Sequence, residues 1–140
     1  MNDENVSGVH WSFWTIGAIG LIWNVLGAVN FVVQMNADSL AVYREVEQAI
    51  IEGRPIWATG GFALAVFGGA IGGVLLLLRK SAASHLFIAS LIGVVVTTMH
   101  TIGVDIDFSP GEIFVIVLMP LVVAAFLIWY SKHAESKGWI

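Results

Sequence analysis

The 140 residues contain no cysteine, only three prolines, and few charges: six Lys and Arg against ten Asp and Glu. Without cysteine there are no disulfides, no thiolate metal sites and no cysteine nucleophile. Charged residues make up 11% of the chain. A soluble domain carries about a quarter, so this chain avoids water. No basic run follows a phosphate backbone, which argues against nucleic acid as a partner. No nucleophile–base pair, zinc signature or phosphate loop occurs, so neither an enzyme nor a cofactor is expected.

What is present is apolar: 58% of the residues are hydrophobic. Ser12–Met35, Ile56–Leu78, Leu86–Val104 and Ile113–Tyr130 are each about long enough to cross a bilayer as a helix, which takes roughly 17–25 residues. The predicted fold class is all-α, an integral membrane four-helix antiparallel bundle. Residues 1–140 form one transmembrane domain, because nothing between the spans is long enough to bury a core of its own. The lipid bilayer is its main partner. The segment before the first span carries Asp3 and Glu4 but no Lys or Arg. The apolar run behind it exceeds the roughly 7–15 residues of a signal peptide, so it reads as a retained membrane helix.

Four spans put both termini on one side, together with Arg79, Lys80, Lys132 and Lys137; Arg44 and Arg54 lie on the other. The positive-inside rule then predicts cytoplasmic termini and an acidic outer face. Trp11, Trp14, Trp129 and Tyr130 mark the inner interface and Trp57 the outer one, and Trp139 can fold back to the inner level. Trp23 falls mid-span, inside the bundle or against lipid. In the connection 36–54, Leu40, Tyr43, Val46 and Ile50 recur on one helical face. A short amphipathic helix is expected there, capped by Asp38 or Ser39 and ended by Gly53 and Pro55, with a solvated loop carrying scattered apolar residues as the alternative.

The second span carries a ladder of small residues: Gly61, Ala65, Gly69 and Gly73, with Gly60, Gly68 and Gly72 beside it. Such spacing lets two backbones approach closely, against a helix of the same chain or of a second protomer. On the first span Asn24, Asn30 and Gln34 share one sector, and on the third Ser90, Thr97, His100 and Thr101 do. Lipid offers these groups no hydrogen bonds, so they are expected to converge inside the bundle. Asn24, Asn30, Gln34, Thr97 and His100 are the candidate ligand contacts; the plainer alternative for Asn24 is interhelical glue. A weaker candidate is a cation site formed by His100, Asp105, Asp107 and Glu112, against solvated or helix-capping carboxylates. The fourth span has no polar residue between Glu112 and Ser131, and Pro120 should kink it.

Trp23-Asn24 with Gly27, then Pro55, Trp57 and Ala58, then Phe62-Ala63, Val66 to Gly69 and Gly72, then Arg79-Lys80 and the ending Lys137 to Ile140, carry a resemblance. The chain resembles a family of small four-helix bacterial inner-membrane proteins that often bear the label "sugar transporter". The family usually has an aromatic soon after the Arg-Lys turn, where this chain has Ser81 to Ser84. The resemblance implies this fold and a bacterial inner-membrane location, and carries over no site residue. The expected function is small-solute, sugar-like transport by a homo-oligomer. The alternative is a non-catalytic accessory or structural subunit of a larger membrane complex. No carboxylate lies within a span, as proton coupling usually requires.

Overall fold

The computed structural model describes residues 8–140. Asp3 and Glu4, part of the signal-peptide argument, lie outside the described residues. The chain forms an all-helical bundle with four helices long and apolar enough to span a membrane: α1 Trp11–Gln34, α3 Ile56–Leu77, α4 Ala83–Ile102 and α5 Pro110–Ser136. The short α2, Glu45–Glu52, lies between α1 and α3. The two ends of the bundle are called here the terminal end, with the chain termini and the α3–α4 turn, and the α2 end.

Each helix boundary has a local cause. The side chain of His10 accepts from the Ser12 N–H at the start of α1. At the start of α5, Ser109 and Glu112 each accept from the other's backbone N–H, with Pro110 next in line. Such reciprocal capping satisfies donors that a helix start leaves free. Helix α5 begins and ends beyond the apolar stretch, because helical hydrogen bonding continues where the apolar residues stop. Before Pro120 it widens into a π-helical turn, Phe114–Leu118. Proline offers no N–H to the carbonyl of residue i−4, here Ile116, and a π-turn is one way a helix absorbs that.

The connection differs from one continuous helix. Ala37–Val42 is a 3₁₀ turn capped by Asn36, not by Asp38 or Ser39, and Tyr43 is extended before α2 begins. The Gln48 side chain donates to the Tyr43 carbonyl at 2.8 Å, fixing that corner. The Ser39 hydroxyl donates back to Val33 and Asn36, tying the turn to the end of α1.

Helix α3 packs between α1 and α4, and α4 packs between α3 and α5. The small-residue ladder is divided between the two neighbours of α3. Gly61, Gly68 and Gly72 meet α4 at Val96, Ser90 and Phe87, while Gly69 and Gly73 meet α1 at Asn24 and Leu21. Gly60 faces open space. Steps of four residues overshoot a full turn by about 40°, so three steps from Gly61 to Gly73 swing about 120° around the helix. The row therefore changes partner part-way. Gly93 seals the α3–α4 seam: a Cβ there would lie 2.5 Å from both the Ala65 nitrogen and the Gly61 carbonyl oxygen. The Ser90 hydroxyl donates across the same seam to the Ala65 carbonyl at 2.6 Å.

The terminal end is closed. Phe13, Leu76, Phe87, Leu127 and Tyr130 form its buried core. The chain end folds back so that Trp139 stands edge-on to Phe13. Its carbonyl accepts from Arg79 Nε at 2.7 Å. Arg79 itself takes φ 59°, the left-handed conformation that closes the turn between α3 and α4.

Candidate functional site

Helices α1 and α5 meet toward the terminal end, where Leu127 fills the space over Gly20 and Phe13 lies near Tyr130. Toward the α2 end they part, and between them lies a cavity of about 450 Å³. Its walls are α1 and α5, its back is the α3–α4 pair, and α2 roofs it. Trp23, Leu26 and Val115 line it and are also exposed, so the gap between α1 and α5 opens sideways from the bundle. The π-turn and Pro120 face it as well. π-turns inside helices recur at functional sites.

Four of the five candidate ligand contacts line this cavity: Asn24, Asn30, Gln34 and Thr97. Asn24 is buried, and its Nδ2 donates to the Gly20 carbonyl of its own helix at 2.8 Å. Its amide fits over Gly69, where any Cβ would overlap Oδ1. Asn24 is thus not hydrogen-bonded glue between helices; it bonds within α1 and uses a glycine of α3 as its slot. Two other deep hydroxyls are also turned to backbone: Ser90 to Ala65, and Thr101 to the Thr97 carbonyl at 3.0 Å.

His100 does not join this cavity. Thr97 and Thr101 lie about 40° apart around α4, whereas His100 is about 100° from Thr101. Its Nε2 donates to the Ile50 carbonyl of α2 at 2.9 Å, and its ring stands edge-on to Trp57 over a shallow depression. The weak cation site does not assemble either. Glu112 caps α5, Asp105 and Asp107 are exposed, and no group of three or more metal-ligating side chains converges among the described residues.

The roof adds side chains that were not among the candidate ligand contacts. The Tyr43 hydroxyl donates to Asn30 Oδ1 at 2.6 Å, and Arg54 Nη1 donates to Gln34 Oε1 at 2.7 Å. The Arg54 guanidinium lies over the Phe62 ring, 5.1 Å from its centre. Its Nε is buried without a hydrogen-bond partner, and no carboxylate pairs with it among the described residues. Burial pushes its pKa down from the ordinary arginine value, yet a guanidinium keeps its charge in a protein. Glu47 also lines the cavity, but its carboxylate is taken by Arg44: Nη2 at 2.9 Å and the backbone N–H at 3.1 Å. The hydrogen bond from Arg44, with its charge, holds Glu47 below the usual carboxylate range.

The site is therefore an amphipathic slot. Its deep polar groups are largely spent on backbone, its walls are aliphatic, and one cation with spare donors stands at its polar end. Comparison with known proteins finds no family model, no curated protein and no solved structure that matches this chain. The functional reading rests on this geometry.

Proposed function

We propose that this protein binds a small solute in the α1–α5 cavity and moves it across the membrane. The observation that carries the proposal is the cavity itself: about 450 Å³, within the roughly 300–1,000 Å³ of ligand pockets, in the α2-end half of a bundle of membrane-length helices. A four-helix protomer is narrow, so transport is assigned to an oligomer. Apart from Gly60, the glycine ladder is spent on contacts inside the chain, leaving the exposed apolar faces of α1 and α5 for assembly. A polyhydroxylated sugar fits less well than the family label suggests, because most of the deep amides and hydroxyls already bond to the chain itself.

The proposed location is the bacterial inner membrane with cytoplasmic termini. It is supported by four basic residues at the terminal end, Arg79, Lys80, Lys132 and Lys137, against Arg44 and Arg54 at the α2 end. The second reading, an accessory subunit of a larger complex, is favoured by the sideways gap between α1 and α5, which has the form of a seat for another helix. Purified protein in vesicles decides between them. Saturable solute uptake supports transport; absence of uptake together with recovery of one stoichiometric membrane partner supports the subunit.

A further inference from the structure

Resting on the reading of the cavity as a solute site, we infer that its ligand is a single-tailed anionic amphiphile, a carboxylate or phosphate head on an aliphatic chain. The head sits at Arg54 and the tail runs down between α1 and α5. Three observations carry this. Arg54 is half-buried, unpaired with any carboxylate among the described residues, and has a buried Nε with no acceptor. A guanidinium in that state lacks the carboxylate or phosphate oxygens its fork of donors matches. Gln34 and Phe62 hold it in place at the polar end of the cavity, so the charge is aimed rather than free.

Below it the lining turns aliphatic, with Leu26, Val66, Ile116, Val123 and Leu127. The hydroxyls of Ser90 and Thr101 and the amide nitrogen of Asn24 donate to backbone carbonyls, so beyond the Thr97 hydroxyl this depth offers a polar ligand little. Gln34 and Asn24 are ten residues apart on α1, which sets a slot about 15 Å deep. The mouth between Leu26 and Val115 opens sideways, the route by which a membrane-dissolved chain enters. The headgroup level is where Arg54 lies, next to Pro55, the residue that caps the start of α3.

The test uses the full chain in phosphatidylcholine nanodiscs, read by quenching of Trp23, with Trp23→Phe as the control that assigns the signal. The probes are dodecanoate, dodecyl phosphate, dodecan-1-ol, acetate and glucose. The expected result is saturable binding of both anionic amphiphiles, about tenfold or more tighter than the alcohol, with no response to acetate. Arg54→Gln should bring the anions to the level of the alcohol, while Arg54→Lys, which keeps the charge but not the fork of donors, should keep only part of the preference. Competition by added lysophosphatidylglycerol, a single-tailed membrane lipid, would mark bilayer lipid as the source of the anionic ligand; its absence would mark a free amphiphile. Equal binding of alcohol and anion, or an unchanged preference in a folded Arg54→Gln protein, overturns the inference. Binding of glucose without dodecanoate overturns it while leaving the solute site standing. No binding by any probe removes both.

Discussion

The two seams of the bundle follow opposite rules. Between α3 and α4, Gly61, Gly68, Gly72 and Gly93 let backbones touch, and Ser90 bonds across. Between α1 and α5 the facing residues are Trp23, Leu26, Val115, Ile116 and Pro120, with only Gly20 offering a recess, which Leu127 fills. In lipid there is no hydrophobic force to close a seam, so packing quality decides. Small residues close one. Large branched residues and a proline hold the other open, and the cavity is the result.

The sharpest way to break this comparison is to put a side chain on Gly93. Its Cβ would meet backbone atoms of α3, which cannot swing aside as a side-chain tip can. Gly93→Leu should prevent recovery of folded protein, and Gly93→Ala should cost about 1–3 kcal/mol of overpacking. Gly20→Ala is the control, since its Cβ would meet only the flexible tip of Leu127. Thermal unfolding in one detergent should rank Gly93→Ala well below Gly20→Ala; equal midpoints would refute the distinction between the seams.

Next in size is Leu127→Ala. Leu127 is the floor of the cavity and a member of the terminal-end core. Its truncation should cost about 2–5 kcal/mol and extend the cavity toward Phe13. If the slot holds an aliphatic tail, the variant should bind a longer chain relatively better than wild type does. A smaller effect is expected at Gly69→Ala, where the new methyl competes with the Asn24 amide. That change should cost about 1–3 kcal/mol, and much of the loss should return in the Asn24→Ala, Gly69→Ala double variant. Strict additivity of the two would show that they do not share the slot.

Helix number and type were readable from lengths alone, because four apolar stretches of bilayer length admit few alternatives. So was the convergence of Asn24, Asn30, Gln34 and Thr97, which follows from helical period. The small-residue ladder was readable as a close-packing surface, although its row turns from α4 to α1, and what periodicity misassigned was His100, carried past the cavity edge. What it missed lay off the helices. Arg54 sits in the three-residue link between α2 and α3, outside any face that a repeat can mark, and Tyr43, which the repeat put on one helical face, sits instead at a corner between two short helices. Arg54 did carry a signal: a basic residue held by Pro55 against the start of a span has little freedom to leave the bundle mouth.

The smallest effect sharpens the roof rather than the seams. The α2 roof is joined to its own first turn by the Arg44–Glu47 pair, with Glu47 also accepting the Arg44 backbone N–H. Both contacts favour the charged carboxylate, so Glu47 titrates below its ordinary value when α2 is folded. A carboxyl with a depressed folded pKa stabilises the fold above its unfolded value, about 4.3, and loses that contribution as pH falls through the lower folded value. Acidification below about pH 4 should therefore loosen α2 while α3 and α4 stay packed, since no ionisable contact holds their seam. Arg44 is exposed, so the pair is screened and the step is small and sensitive to salt. Hydrogen exchange of the α2 amides checks this: wild type should exchange faster below that pH, while Glu47→Gln should exchange at one nearly pH-independent level of protection once intrinsic rates are corrected. A wild-type roof whose protection ignores pH would show that α2 is held by its apolar contacts and the His100 bond to Ile50, not by its acidic cap.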